Sequence, residues 1–132
     1  MRFEFSVRTD RRTHFVQIDH LLHEAIQKSG IKNGVCHIFV PHTTAAVTIN
    51  ENADPNVVRD VIMETEKIIP FQDNYTHMEG NSAAHIKSSL FGASETVLLE
   101  NGRPLLGTWQ SLYFCDFDGP RTRRVWISVS SD

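Results

Sequence analysis

Cysteine is scarce in this chain: Cys36 and Cys115 are the only two among 132 residues. They stand far apart in apolar, strand-like runs and form no CxxC pair, which argues against a disulfide scaffold and against a cysteine-built zinc site. The expectation is two buried free thiols in a reducing compartment, hence a cytoplasmic location. Long hydrophobic runs are also missing. No stretch reaches the roughly 18 apolar residues that a membrane-spanning helix needs. The opening residues, MRFEFSVRTDRR, alternate and carry charge, which is not the pattern of a signal peptide. No glycine-rich strand-to-helix turn of the Rossmann or P-loop type occurs, so nucleotide binding by those devices is not expected. Charge of one sign is not in excess: 13 Lys and Arg face 16 Asp and Glu, a net charge of -3. There is no aromatic-interleaved basic stripe, so neither nucleic acid nor an acidic membrane is an expected partner.

What is present describes one globular domain over residues 1–132. Apolar residues make up 40% and charged residues 22%, balanced enough for a real core at this length. RFEFSVRT (2–9) alternates as a half-buried strand, and THFVQI (13–18) is expected to pair with it across the turn near Asp10. Asp19 is a candidate N-cap for a helix carrying Ile18, Leu21, Leu22, Ala25 and Ile26 at helical spacing and ending at Gly30. GVCHIFVPH and AAVTINE are two more strands. Asp54-Pro55 starts a second helix, whose Val57, Val58, Val61, Ile62, Thr65 and Ile69 predict one buried face. A short third helix runs from Asn81 to about Leu90. Asn101-Gly102 is a hairpin turn, and two long strands flank Asp118-Gly119-Pro120. About seven strands and three helices, with strands in hairpin-like pairs, indicate an α+β fold with mostly antiparallel sheets in a sandwich-like arrangement.

Three of the seven histidines stand apart from the rest. His42 follows Pro41 at a strand end, where scaffolds place reactive groups. His77 lies in the polar stretch HMEGNSAAH, and His85 is one turn into the third helix, so the loop can fold back to bring the two together. Three imidazoles can hold zinc, or they can serve acid–base chemistry. The spacing matches no metal motif, and polar turn residues are the plain alternative. Glu51 and Glu79 are nearby acids that can orient a ring or act as a base. Asn81 and Ser82 open a helix whose free N–H groups suit an anion. Arg121 and Arg123 are expected on one strand face, with Arg124 opposite. Their forks suit phosphate or carboxylate, or they pair with Asp116 and Asp118.

HTTAAVTINENADP, HMEGNSAAHIKSSLFG and LLGTWQSLYFCDFDGPRTRRV, in that order, resemble the three signature blocks of the YjbQ-like family, known as the secondary thiamine-phosphate synthase family. The resemblance runs from about residue 2 to residue 130. It implies a homotrimer with polar pockets near subunit boundaries. It also implies a weak thiamine-phosphate synthase activity, joining hydroxymethylpyrimidine diphosphate to thiazole phosphate. The family's histidines fall on His42, His77 and His85, its acid on Glu51, its helix-start residues on Asn81 and Ser82, and its final arginines on Arg121 and Arg123. A serine is frequent in the family where this chain has Thr44. On this reading the histidine set, with or without a divalent metal (zinc or magnesium), handles a small phosphorylated ligand. The alternative is a metal- or phosphate-binding trimer without robust turnover.

Overall fold

Two antiparallel sheets face each other across the main core, and a computed structural model describes residues 1–132 throughout. The elements run β1 (Arg2–Arg8), β2 (His14–Gln17), α1 (Asp19–Ser29), β3 (Gly34–Phe39), β4 (Ala45–Glu51), α2 (Pro55–Ile68), α3 (Ser82–Phe91), β5 (Ser94–Glu100), β6 (Arg103–Pro104), β7 (Gln110–Asp116) and β8 (Thr122–Ser131). The five-stranded sheet has the order β1-β8-β3-β5-β6, and the three-stranded sheet has the order β2-β7-β4. The expected α+β class with antiparallel sheets is what the chain adopts. The eighth strand is the two-residue edge β6, where Pro104 loses no ladder bond it needs.

The pairings differ from local expectation. β2 does not pair with β1; it pairs with β7, His14 opposite Asp116, while β1 pairs with β8. The two strands therefore lie in different sheets. The inward residues of β1, Phe3, Phe5 and Val7, pack into the core between the sheets. Phe15 of β2 instead packs on the far face of the small sheet, edge-on to Phe91 and Phe117. The expected turn at Asn101-Gly102 does form, with both residues at positive φ (52° and 76°), the backbone that a two-residue hairpin requires.

Helix α1 ends as expected on Gly30 in the left-handed conformation. Its start differs. Asp19 does not cap; Oδ1 accepts the Leu112 N–H at 2.7 Å, and Oδ2 accepts from the Gln17 side chain. The carboxylate ties the helix to β7 by satisfying a backbone N–H of another element. Leu22, Ala25 and Ile26 are buried against the sheets. Burying a Leu or Ile side chain contributes roughly 1.5–3 kcal/mol. Helix α2 starts as expected, with Asp54 accepting the Asn56 N–H at 2.9 Å and Pro55 in the first turn. Its apolar stripe is a correction: no residue of α2 is fully buried within the chain. The stripe is only half-covered, and Met63 and Ile68 are exposed.

Helix α3 is the element that builds the site. Ala83 and Ala84 are small enough for it to lie close on β4, and Ser88 Oγ donates to the Ala45 carbonyl at 2.7 Å. Just past its end, the Gly92 and Ala93 carbonyls accept from Val47 N and Val40 N. Its C-terminal half is thereby fixed beside the β3–β4 loop that carries His42.

Candidate functional site

A cavity of about 660 Å³ opens where the β3–β4 loop, the start of α3, the segment before it and the β7–β8 turn meet. His42, His77, His85, Asn81, Arg121 and Arg123 all line it, with Glu79, Thr44 and Asp118. The structure thus brings six of the expected site residues together. Two lie elsewhere. Glu51 ends β4, six residues along the strand from Ala45, which sits beside the cavity, and its carbonyl accepts from Tyr113 Oη. At about 3.3 Å per residue that is some 20 Å away. Ser82 lines a separate cleft on the other side of His77 and His85, with Tyr75, Thr76 and Ile86.

Each histidine is held differently. The His42 Nε2 accepts the backbone N–H of Arg124 at 2.9 Å. A ring nitrogen that accepts must be unprotonated, so the neutral ring carries its proton on Nδ1. Burial, then the Arg123 and Arg124 charges, hold the pKa of His42 below its ordinary value, although Asp116 opposes them. His42 is therefore a neutral donor. The His77 and His85 rings meet edge to face, with centroids 5.3 Å apart.

Beneath the histidines lies a buried ion pair. Arg123 is 3% exposed and Asp116 is fully buried. The Arg123 Nη2 donates to Asp116 Oδ1 at 2.7 Å and to Thr44 Oγ1 at 2.8 Å. Thr9 Oγ1 donates to Asp116 Oδ2 at 2.6 Å, and the Asp118 N–H donates to Asp116 Oδ1 at 3.0 Å. Burial alone raises a carboxyl pKa, but these bonds and the Arg123 charge outweigh it, and the pKa of Asp116 is lowered. Arg121 does not share the strand face of Arg123: it precedes β8, is exposed, and bonds the Asp118 carbonyl and carboxylate at 3.0 and 3.3 Å. The pairing of both arginines with Asp116 and Asp118, one of the two sequence readings, is the one that forms. Thr9 and the backbone of Arg124 belong to the site without having been singled out. Nothing local marks them, since Thr9 and Asp116 are 107 positions apart.

Two buried polar atoms at this cavity have no partner, Arg123 Nε and Asn81 Oδ1. The orientation of Asn81 is fixed chemically. Its Nδ2 donates to Asp118 Oδ2 at 3.0 Å, and a carboxylate cannot take the amide oxygen in its place. Asn81 does not cap α3 with its side chain. An unpaired donor and an unpaired acceptor, both buried, thus belong to side chains that line the same cavity.

The residues do not fit a metal. No group of three His, Cys, Asp or Glu side chains stands close enough to hold one. The Nε2 of His42 is engaged by Arg124, and Asp118 is engaged by Asn81 and Arg121.

The model for the family described as UPF0047 protein YjbQ-like matches residues 3–132. A UPF0047 protein of Methanocaldococcus jannaschii is 48% identical over 132 residues, covering 100% of this chain and 96% of that one. A crystal structure of an uncharacterised YjbQ/UPF0047 protein from Clostridium acetobutylicum superposes with a TM-score of 0.95 at 47% identity, covering 97% of this chain and 99% of that one. A YbjQ-like protein from Sulfolobus solfataricus P2, described as of unknown function, superposes with a TM-score of 0.95 at 29% identity, covering 100% and 97%. These descriptions overturn the expected thiamine-phosphate synthase activity: the relatives are described as uncharacterised or of unknown function, and none of the three as a synthase. The geometry agrees, because the cavity's carboxylates are Glu79 and the already engaged Asp118, not a free acidic pair for a magnesium diphosphate. Family model, relatives and fold coincide over nearly the whole chain, which belongs to the YjbQ-like UPF0047 family.

Proposed function

We propose that this cavity binds the singly protonated oxyanion of a small phosphorylated molecule and exchanges a proton with it through its histidines. The observation that carries the reading is the pair of unpartnered buried atoms, Arg123 Nε and Asn81 Oδ1. Leaving a buried polar atom unpaired costs roughly 1–3 kcal/mol, more for a charged group. A singly protonated phosphate matches both atoms. Its oxygens accept from Arg123 Nε–H and from His42 Nδ1–H, and its O–H donates to Asn81 Oδ1. Arg123 is planar and pre-positioned by Asp116 and Thr44, so it loses little freedom on binding. His77 and His85 line the same space, and imidazole is the side chain suited to proton exchange near neutral pH.

Calorimetric titration with inorganic phosphate, with sulfate as the control, tests this. Phosphate is expected to bind about tenfold more tightly than sulfate near pH 7, since sulfate has no O–H and leaves Asn81 Oδ1 unpaired. Asn81→Ala should erase that preference, and His42→Ala should weaken both ions. Equal affinity for the two anions, or no heat with phosphate in a folded protein, removes the proposal.

A second reading concerns assembly. The half-covered stripe of α2, with Met63 and Ile68 exposed beside it, supports self-association, and the family resemblance implies a homotrimer. Sedimentation equilibrium should give three times the 15.0 kDa chain mass. A monomer at micromolar concentration removes this reading. The two buried free thiols support a reducing, cytoplasmic setting. No helix is long and apolar enough to cross a membrane.

A further inference from the structure

On the far side of α3 from the histidines, Lys87 forms part of a second cavity of about 240 Å³, with Arg12, Thr13, Glu66, Pro70 and Phe71. Lys87 is 3% exposed. It lies in α3, Glu66 in α2, and Arg12 and Thr13 just before β2, so three parts of the chain converge here. The Lys87 amine has no hydrogen-bond or ion-pair partner, whereas the other buried charged side chains, Asp116 and Arg123, bond each other at 2.7 Å. Arg12 is held in place, its guanidinium 3.8 Å from the centroid of the Phe71 ring.

We infer that this cavity is an imine-forming site for a small oxo acid, with Lys87 as the nucleophile, Arg12 as the anchor for the acid group and Glu66 as the proton carrier. Lys87 is largely enclosed but its nitrogen opens to the cavity, where a carbonyl can reach it, and the enclosure disfavours the ammonium relative to the neutral amine. Burial, assisted by the Arg12 charge and opposed by Glu66, holds the pKa of Lys87 below its ordinary value. Only the neutral amine has the lone pair that attacks a carbonyl carbon. The C–N bond forms as the carbonyl π bond opens, and the oxygen takes its first proton from the new ammonium nitrogen by way of Glu66. The remaining N–H proton then passes through the same carboxylate to the hydroxyl, and the C–O bond breaks to release water as the C=N bond forms. No oxidant or reductant is consumed. The Arg12 fork suits a carboxylate, and the cavity volume limits the guest to a few heavy atoms.

The test is reductive trapping of the folded, full-length protein with glyoxylate and cyanoborohydride, followed by peptide mass mapping. The chain has three other lysines as internal standards, Lys28, Lys32 and Lys67. The adduct is expected on Lys87 at about tenfold higher occupancy than on any of them. Labelling spread evenly, or confined to the other lysines, overturns the site. Arg12→Gln should lower glyoxylate labelling of Lys87 about tenfold while leaving labelling by uncharged acetaldehyde unchanged. Equal loss of both labels, or of neither, overturns the anchoring role of Arg12.

Discussion

Replacing Asp116 with Asn tests whether the buried pair under the cavity is the structural base of the site. The substitution keeps the shape of the side chain and removes its charge. The carboxylate is fully buried and accepts three hydrogen bonds, from Arg123 at 2.7 Å, Thr9 at 2.6 Å and the Asp118 N–H at 3.0 Å. An amide can still accept from Arg123, and the Thr9 hydroxyl can rotate to accept from the amide, so most of the pattern survives. What remains is an uncompensated guanidinium whose side chain is only 4% exposed. Removing one partner of a buried pair costs roughly 3–5 kcal/mol, and about 3 kcal/mol applies here because the hydrogen bonds are partly kept. With a urea slope of about 1.5–2 kcal/mol/M for a chain of this size, the unfolding midpoint should fall by about 1.5–2 M. The loss must also depend on pH. The folded pKa of Asp116 lies below its unfolded value, so its contribution is full above about pH 4 and fades as pH falls through the folded value. The gap between wild type and Asp116→Asn should therefore narrow on acidification below about pH 4. A midpoint change under about 0.5 M, or a gap constant down to pH 2, would refute the reasoning.

Three further outcomes follow from the same region. A Cβ on Gly119 would overlap the Arg11 carbonyl oxygen and come within 2.7 Å of Thr9 Oγ1 and 2.9 Å of Asp116 Oδ2, so Gly119→Ala should destabilise the fold by about 2–3 kcal/mol in thermal or urea unfolding; an unchanged midpoint would mean the turn has more room than the structure allows. His42 has a folded pKa below its unfolded value, so stability should decline as pH drops from about 6.5 toward the folded value, and His42→Phe should flatten that decline. Nitrogen-15 spectra should show the His42 proton on Nδ1 at neutral pH, and a predominantly Nε2-protonated ring would contradict the bond from Arg124.

Much of the fold was legible because it rests on local signals. The alternation in β1, the Asp54-Pro55 start of α2, the left-handed Gly30 and the Asn101-Gly102 turn each state a backbone requirement in two to seven residues. The errors fall where a local rule competes with a distant partner. A hairpin was the natural guess for β1 and β2, but each finds its partner near the far end of the chain, in β8 and β7. Asp19 has the chemistry of a cap, yet the Leu112 N–H, 93 positions away, takes its oxygen. The stripe on α2 has the right period, but period alone fixes which residues share a face, not what covers them.

The site divides along the same line. Histidines in a polar stretch are visible one at a time, and His77 and His85 do meet because a loop returning to its own helix is a short-range event. Glu51 was misplaced for the opposite reason. Adjacency in a sequence block says nothing about which end of a strand faces the cavity, and seven residues of β4 carry it away. The sequence offers the arginines as ligand groups or as partners of acids, and the structure shows the pairing with acids. The Nη2 of Arg123 is engaged by Asp116 and Thr44, while its Nε is left without a partner. Only an atom-by-atom inventory separates these roles, and it changes the chemistry assigned to the cavity. Asp116 and Asp118 are engaged by the protein's own donors, and the groups left unpaired include one fixed N–H, one neutral imidazole N–H and one amide oxygen. On the proposed function, that set favours a guest with both acceptors and a proton to give. The phosphate-over-sulfate preference therefore discriminates more sharply than affinity alone: positive charge by itself predicts no preference for phosphate over fully ionised sulfate, whereas the Asn81 oxygen requires one.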